Sequence, residues 1–133
     1  MKDSLNGIRV LLAEDNELNA EIAEVQLEEQ GMKVTRAIDG KQAVEFFVDS
    51  PKGTFDVILM DIMMPEMNGY EATKAIRSLD DRPDGRTIPI IAMTANAFAE
   101  DVQASMDAGM NGHLSKPIVM DEVVKTIARN LDR

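Results

Sequence analysis

Three acids, one hydroxyl and one ammonium each follow an apolar run, and the runs lie far apart in the 133-residue chain. Glu14 and Asp15 come after VLLA, Asp61 after VILM, Thr94 after IIAM and Lys116 after HLS. Carboxylates gathered at one place repel one another unless a cation sits among them. A donor set of oxygens, with no His or Cys nearby, suits Mg²⁺, with Mn²⁺ tolerated. Mg²⁺ holds only a few protein oxygens and keeps room for water and phosphate. Lys116 adds a point charge suited to a phosphoryl oxygen, and Thr94 a hydroxyl that can follow it. The chemistry implied is phosphoryl transfer, by in-line attack of an aspartate with cation and lysine absorbing charge on the equatorial oxygens.

That chemistry requires a scaffold that brings the ends of several strands together. Strand-like runs occupy Ile8 to Ala13, Lys33 to Ala37, Phe55 to Met60, Ile88 to Met93 and Gly112 to Ser115. The first, third and fourth are almost continuously apolar, as parallel strands covered on both faces must be. Helical patterns alternate with them. Leu18, Ile22 and Val25 share one helical face, ended by Gly31. Asp39, with Gln42 three residues on, resembles a capping box for a helix burying Val44 and Phe47. Ala72, Thr73 and Ile76 mark a third helix, and Phe98, Val102 and Met106 a fourth that stops at Gly109. Val123, Val124, Ile127 and Leu131 mark the fifth, with Asp121 and Glu122 near its positive end. Leu79 to Thr87 reads as an exposed loop.

Five βα units predict an α/β fold of the flavodoxin-like kind: a doubly wound (βα)5 three-layer sandwich with a parallel five-stranded sheet in the order 2-1-3-4-5. Residues 1–133 are expected to form a single domain. In such a sheet the ligand site lies outside the carboxyl ends of the strands, where strand order reverses. The five chemistry-bearing residues fall there. The second strand ends outside this point, and Asp39 reads only as a cap.

Composition narrows the function further. With 14 basic against 24 acidic residues and a net charge of −10, the chain lacks the clustered Lys and Arg that phosphate backbones demand, so nucleic acid is not an expected partner. Cysteine is absent, which excludes disulfides and thiolate chemistry and fits a cytoplasmic setting. No apolar run approaches membrane-spanning length, and Met1-Lys2-Asp3-Ser4 does not open a signal peptide, so no membrane contact is expected.

Singly, each residue has an ordinary explanation. Asp61 could cap a turn, Glu14-Asp15 or Asn16 could cap a helix, and Lys116 could be a solvated loop lysine. The ten methionines are read as core filling rather than a soft-metal site. Gly69 is read as permitting a turn before the third helix. Only the constellation favours chemistry.

The stretches VLLAEDN, LMDIMMPEMNGYEAT, IPIIAMTANA and AGMNGHLSKPI together resemble the receiver domains of two-component response regulators, over essentially the whole chain. EDNELN, MTANA and SKPI resemble especially the receivers of hybrid sensor histidine kinases. The resemblance implies that Asp61 is the phosphoacceptor, and that the donor is a phosphohistidine on a histidine kinase dimerisation/phosphotransfer domain or on a histidine phosphotransfer protein. It implies that Asp15 binds Mg²⁺ directly, Glu14 largely through water, and Met63 through its backbone carbonyl. Thr94 would swing toward the aspartyl phosphate, Lys116 would pair with it, and the Lys116-Pro117 peptide would be cis. The output face would be the fourth helix, fifth strand and fifth helix, near Phe98, His113 and Val123. The donor would meet the first helix around Asn19 to Ala23. Autodephosphorylation is implied, without turnover of an external metabolite, and homodimerisation is left open. His113 stands where the family usually has Tyr or Phe; it reads as a half-exposed strand residue, with a weaker or pH-sensitive switch as the sharper reading.

Three rivals remain on the same residues. An aspartate-nucleophile phosphatase would need an acid two residues after Asp61, where Met63 cannot move a proton. A flavin or nucleotide module would want a Gly-rich phosphate loop where Glu14-Asp15 stands. An unphosphorylated receiver-like interaction domain would have no use for the full set of acceptor-site residue types.

Overall fold

A computed structural model of the chain describes residues 5–95 and 99–131. Five strands form one sheet: β1 (Arg9–Ala13), β2 (Lys33–Ala37), β3 (Val57–Asp61), β4 (Ile90–Thr94) and β5 (Gly112–Ser115). They lie parallel in the order β2-β1-β3-β4-β5. The connecting helices are α1 (Glu17–Glu29), α2 (Gly40–Asp49), α3 (Gly69–Arg77), the short α4 (Asp84–Thr87), α5 (Ala99–Ala108) and α6 (Met120–Asn130). The fourth and fifth helices of the sequence pattern are therefore α5 and α6. The fold is the flavodoxin-like sandwich expected from the βα alternation.

Because successive strand side chains point to opposite faces, the continuous apolar runs feed two cores. Val10, Leu12, Leu59, Ile91 and Met93 pack with Ala23 and Leu27 of α1 and Val123 and Ile127 of α6. Leu11, Ile58, Met60, Ile90 and Ala92 pack with Ala43 and Phe47 of α2 and Ala72 and Ile76 of α3. β3 is buried at all five positions, including Asp61 at its end. The sheet's central strand thus carries a buried carboxylate at its end.

Two local expectations are corrected, and on α1 and α5 the apolar residues that mark each helix are not the ones it buries most deeply. The apolar face of α1 formed by Leu18, Ile22 and Val25 is exposed, at 65%, 49% and 52%, whereas Ala20, Ala23 and Leu27 are buried. The helix carries two apolar stripes, and small alanines allow the closer approach to the sheet. On α5, Met106 is likewise exposed, Ser105 and Ala108 are buried, and Phe98 lies outside the described residues. The segment Leu79 to Thr87 is not a loose loop. It contains α4, and the Arg82 Nη1 donates to the carbonyls of Phe47, Val48 and Ser50 at 2.7, 3.2 and 3.0 Å. Arg82 also pairs with Asp84 at 2.9 Å and stacks 4.7 Å from the Phe47 ring centroid, closing the C-terminus of α2. Finally, Asp39 Oδ1 accepts from the Gln42 N–H at 2.7 Å, but Gln42 returns its own bond to the Ile38 N–H, one residue before a capping box would. The true capping box is on α3, where Asn68 and Glu71 each accept the other's backbone N–H.

Candidate functional site

The strand ends deliver the residues as follows. β1 ends at Ala13, and Glu14 and Asp15 form the turn into α1. The Asn16 side chain accepts the Asn19 N–H at 2.9 Å and so caps α1 itself. That releases both acids from capping duty. Asp61 is the last residue of β3, and Thr94 the last residue of β4. Lys116 follows β5, with its N–H bonded to the Thr94 carbonyl at 2.8 Å and its peptide to Pro117 cis.

Glu14, Asp15 and Asp61 each place a carboxylate oxygen within 4.8 Å of the others. Lys116 Nζ donates to Glu14 Oε1 and sits against Asp61 Oδ2, at 2.9 Å in both cases. Glu14 and Asp61 are buried, 3% and 4% exposed, while Asp15 is open to solvent. Two buried carboxylates side by side are costly unless paired, and one ammonium is shared between them.

The electrostatics follow from that sharing. Burial is the main influence raising the Asp61 carboxyl from 3.8 to about 6, with the Glu14 carboxylate adding to it and Lys116 opposing. Burial also works to raise Glu14, but bonds from Lys116 and the Asn16 N–H outweigh it and its pKa falls below 4.5. Desolvation works against the Lys116 charge, yet the two carboxylates hold its pKa above 10.5. Of the pair, Asp61 is the acid that gives up its charge first.

The donor set fits a hard dication: three carboxylates, one of them solvent-facing, and no sulfur or imidazole among them. Met63 lies two residues past Asp61 and is 79% exposed, so it does not fill the core as the methionines were expected to. The turn is tight: Glu66 takes a φ of 67°, and a Cβ on Gly69 would collide with the Asp61 carbonyl. Gly69 is therefore required for close approach of α3 to the end of β3, and the turn conformation it was expected to supply belongs to Glu66. His113 is exposed on β5, beside Ala92 on β4 in the register. Val123 is buried in the core.

One neighbour of the site was not anticipated. Arg36, on β2, donates from Nε and Nη2 to the Glu14 carbonyl at 3.1 and 3.0 Å, and from Nη2 to the Asp15 carbonyl at 3.3 Å. The alternation of β2 gives a signal, since Arg36 shares a face with Val34, although that strand ends outside the point where strand order reverses. Beside the cluster, a cavity of about 470 Å³ is lined by Leu12, Glu14, Ile22, Met93, Lys116 and Ile118.

A family model of the response regulator receiver domain matches residues 10–128. Hybrid signal transduction histidine kinase I of Dictyostelium discoideum is 41% identical over 123 residues, covering 89% of this chain; the chain spans only 7% of that protein. Among solved structures, the receiver domain of sensor histidine kinase PA1611 from Pseudomonas aeruginosa PAO1, with a magnesium ion coordinated in its active site cleft, has a TM-score of 0.84 at 38% identity, covering 96% of this chain and 99% of that one. The receiver domain of Ssk1 from Saccharomyces cerevisiae, crystallised with the histidine phosphotransfer protein Ypd1, has a TM-score of 0.80 at 27% identity, covering 93% and 88%. With sheet order, strand-end residues and these likenesses in agreement, the chain belongs to the response regulator receiver domains of two-component phosphorelay systems.

Proposed function

We propose that Asp61 is the phosphoacceptor of this receiver and takes its phosphoryl group from a phosphohistidine. The observation that carries the reading is the buried Asp61 within 4.8 Å of Glu14 and Asp15, with Lys116 bridging two of the three. An Asp61 oxygen attacks phosphorus in line, the P–N bond breaks, and the imidazole leaves as the aspartyl phosphate forms. Glu14, Asp15, Asp61 and the Met63 carbonyl would hold Mg²⁺, or Mn²⁺ in its place. When bound, the ion neutralises charge on the transferring phosphoryl oxygens. Lys116 passes from the Asp61 carboxylate to a phosphoryl oxygen, and the Thr94 hydroxyl moves toward the same group. This new charge biases the packing of α5, β5 and α6, the face offered to the downstream partner. Slow loss of the phosphoryl group to water resets the domain.

The test is intact mass after incubation with acetyl phosphate and Mg²⁺. One acid-stable, base-labile phosphoryl adduct is expected, and its formation without any divalent cation would overturn the metal-dependent reading.

The raised Asp61 pKa sets a pH dependence. A protonated carboxyl neither attacks phosphorus nor binds a cation. At subsaturating Mg²⁺ the initial rate should be level above pH about 6 and fall roughly tenfold per unit below it. Saturating Mg²⁺ favours the ionised form and moves the break to lower pH. A rate that rises on acidification would contradict this.

The exposed stripe Leu18, Ile22 and Val25 on α1 supports the donor surface, since apolar residues at helical spacing beside an active site suit a helix-in-groove contact. Ile22→Glu should lower the ratio of phosphotransfer rates, histidine phosphotransfer protein over acetyl phosphate, by about tenfold or more. An unchanged ratio would move the docking surface elsewhere.

A further inference from the structure

We propose that Arg36 is a positioning residue of the acidic site, fixing the backbone that presents Glu14 and Asp15 to a divalent cation. The inference rests on the metal-binding reading above. The parallel pairing of β1 and β2 ends at Ala13 and Ala37, and the Glu14 N–H makes the last link, to the Ala37 carbonyl at 3.1 Å. Beyond it the chain turns toward α1, and the guanidinium takes over. Its Nε and Nη2 both reach the Glu14 carbonyl, and Nη2 reaches the Asp15 carbonyl. Two successive peptide planes are thereby oriented from the neighbouring strand.

The choice of acceptors is the telling feature. A free cation beside two acids is expected to pair with a carboxylate, yet Arg36 bonds to neutral carbonyls. The Glu14 carboxylate is instead shared by Lys116, on Oε1, and the Asn16 N–H, on Oε2. The fork therefore holds the backbone without occupying the oxygens a cation needs. Its place beside the first turn of α1 also opposes the helix dipole, so helix stabilisation does not account for it. A planar five-donor group can make this clamp, and a lysine at the same position cannot.

The test is calorimetric titration with Mg²⁺ alone on the wild type, Arg36→Ala and Arg36→Lys, with urea unfolding to show that each variant folds. The expected result is an Mg²⁺ Kd raised about 10- to 100-fold in Arg36→Ala, the range for groups that orient ligands, and recovered only in part by Arg36→Lys. With acetyl phosphate, the Mg²⁺ concentration for half-maximal rate should rise by the same factor, while the maximal rate changes by no more than roughly twofold. A Kd within twofold of wild type in a folded Arg36→Ala overturns the proposal. So does an Arg36→Lys indistinguishable from wild type, which would leave charge alone as the cause. Wild-type protein that binds no Mg²⁺ overturns the functional reading as well, so the two failures are separable.

Discussion

Asp61→Asn is expected to leave the intact mass unchanged after incubation with acetyl phosphate and Mg²⁺, and at the same time to make the protein more stable. The first effect is the loss of the nucleophilic oxyanion from a site where no other buried carboxylate is free, since both Glu14 oxygens are already engaged. The second follows from linkage. Below pH about 4 the Asp61 carboxyl is protonated in both folded and unfolded chains and contributes nothing. Between about 4 and 6 only the folded chain keeps the proton, so stability falls as pH rises; above that range the loss is constant. A shift from 3.8 to about 6 corresponds to a penalty on the order of 2–3 kcal/mol at neutral pH. Asparagine removes that penalty and leaves Lys116 paired with Glu14. Urea unfolding at pH 7 should show a gain of about 1–3 kcal/mol that largely disappears at pH 4. An adduct on the variant, or a variant less stable than wild type at pH 7, would refute the assignment of Asp61 as the strained acceptor.

The largest loss of stability is expected from Arg77→Met. Arg77 closes α3, and its guanidinium makes five hydrogen bonds. Two go to the Gly109 carbonyl at 3.0 and 2.8 Å, and one each to Gly85 at 3.0 Å, Ile88 at 2.7 Å and the Asn111 side chain at 2.7 Å. It thereby joins α3, α4, the start of β4 and the turn between α5 and β5. Half-buried, it pays a desolvation cost that draws its pKa below the usual guanidinium value, and the bonds offset that cost. Methionine keeps the stem and strands three backbone acceptors at a partly buried junction. The expected cost is about 3–5 kcal/mol, read as a lower urea midpoint at unchanged slope. A loss under about 1 kcal/mol would mean that water substitutes for the guanidinium. Asn111 also accepts from the Ile90 N–H at 2.9 Å, so the damage should reach the edge of β4.

The legible part of the molecule was what repetition and burial dictate. Apolar runs in β1, β3 and β4 have one use in a doubly wound sheet, and the acids at their ends are then forced together. The topology therefore carried Glu14, Asp15, Asp61 and Lys116 to one edge with no contact information. What stayed hidden depended on choices between equals. On α1, the Leu18-Ile22-Val25 stripe and the Ala20-Ala23-Leu27 stripe have the same period, and periodicity cannot say which one the sheet takes. The deciding factor was close approach, which favours alanine. Arg36, Arg77 and Arg82 were hidden for another reason. Each acts by donating to backbone carbonyls, and carbonyls carry no sequence signature. Leu79 to Thr87 looked like a loop because its polar residues were read as solvated, when Arg82 and Asp84 are tied back to α2 and Gly53.

The ammonium of Lys116 and the carboxylate of Glu14 meet across a separation of 102 residues. During synthesis the two acids of the first turn emerge long before the lysine that balances them. A chain released or cut after Asp61 and before Lys116 keeps both buried carboxylates but not the ammonium that balances them. On the proposed reading of Asp61, such a copy would lack the lysine that pairs with the phosphoryl group, and incomplete copies would be silent without a dedicated inspector.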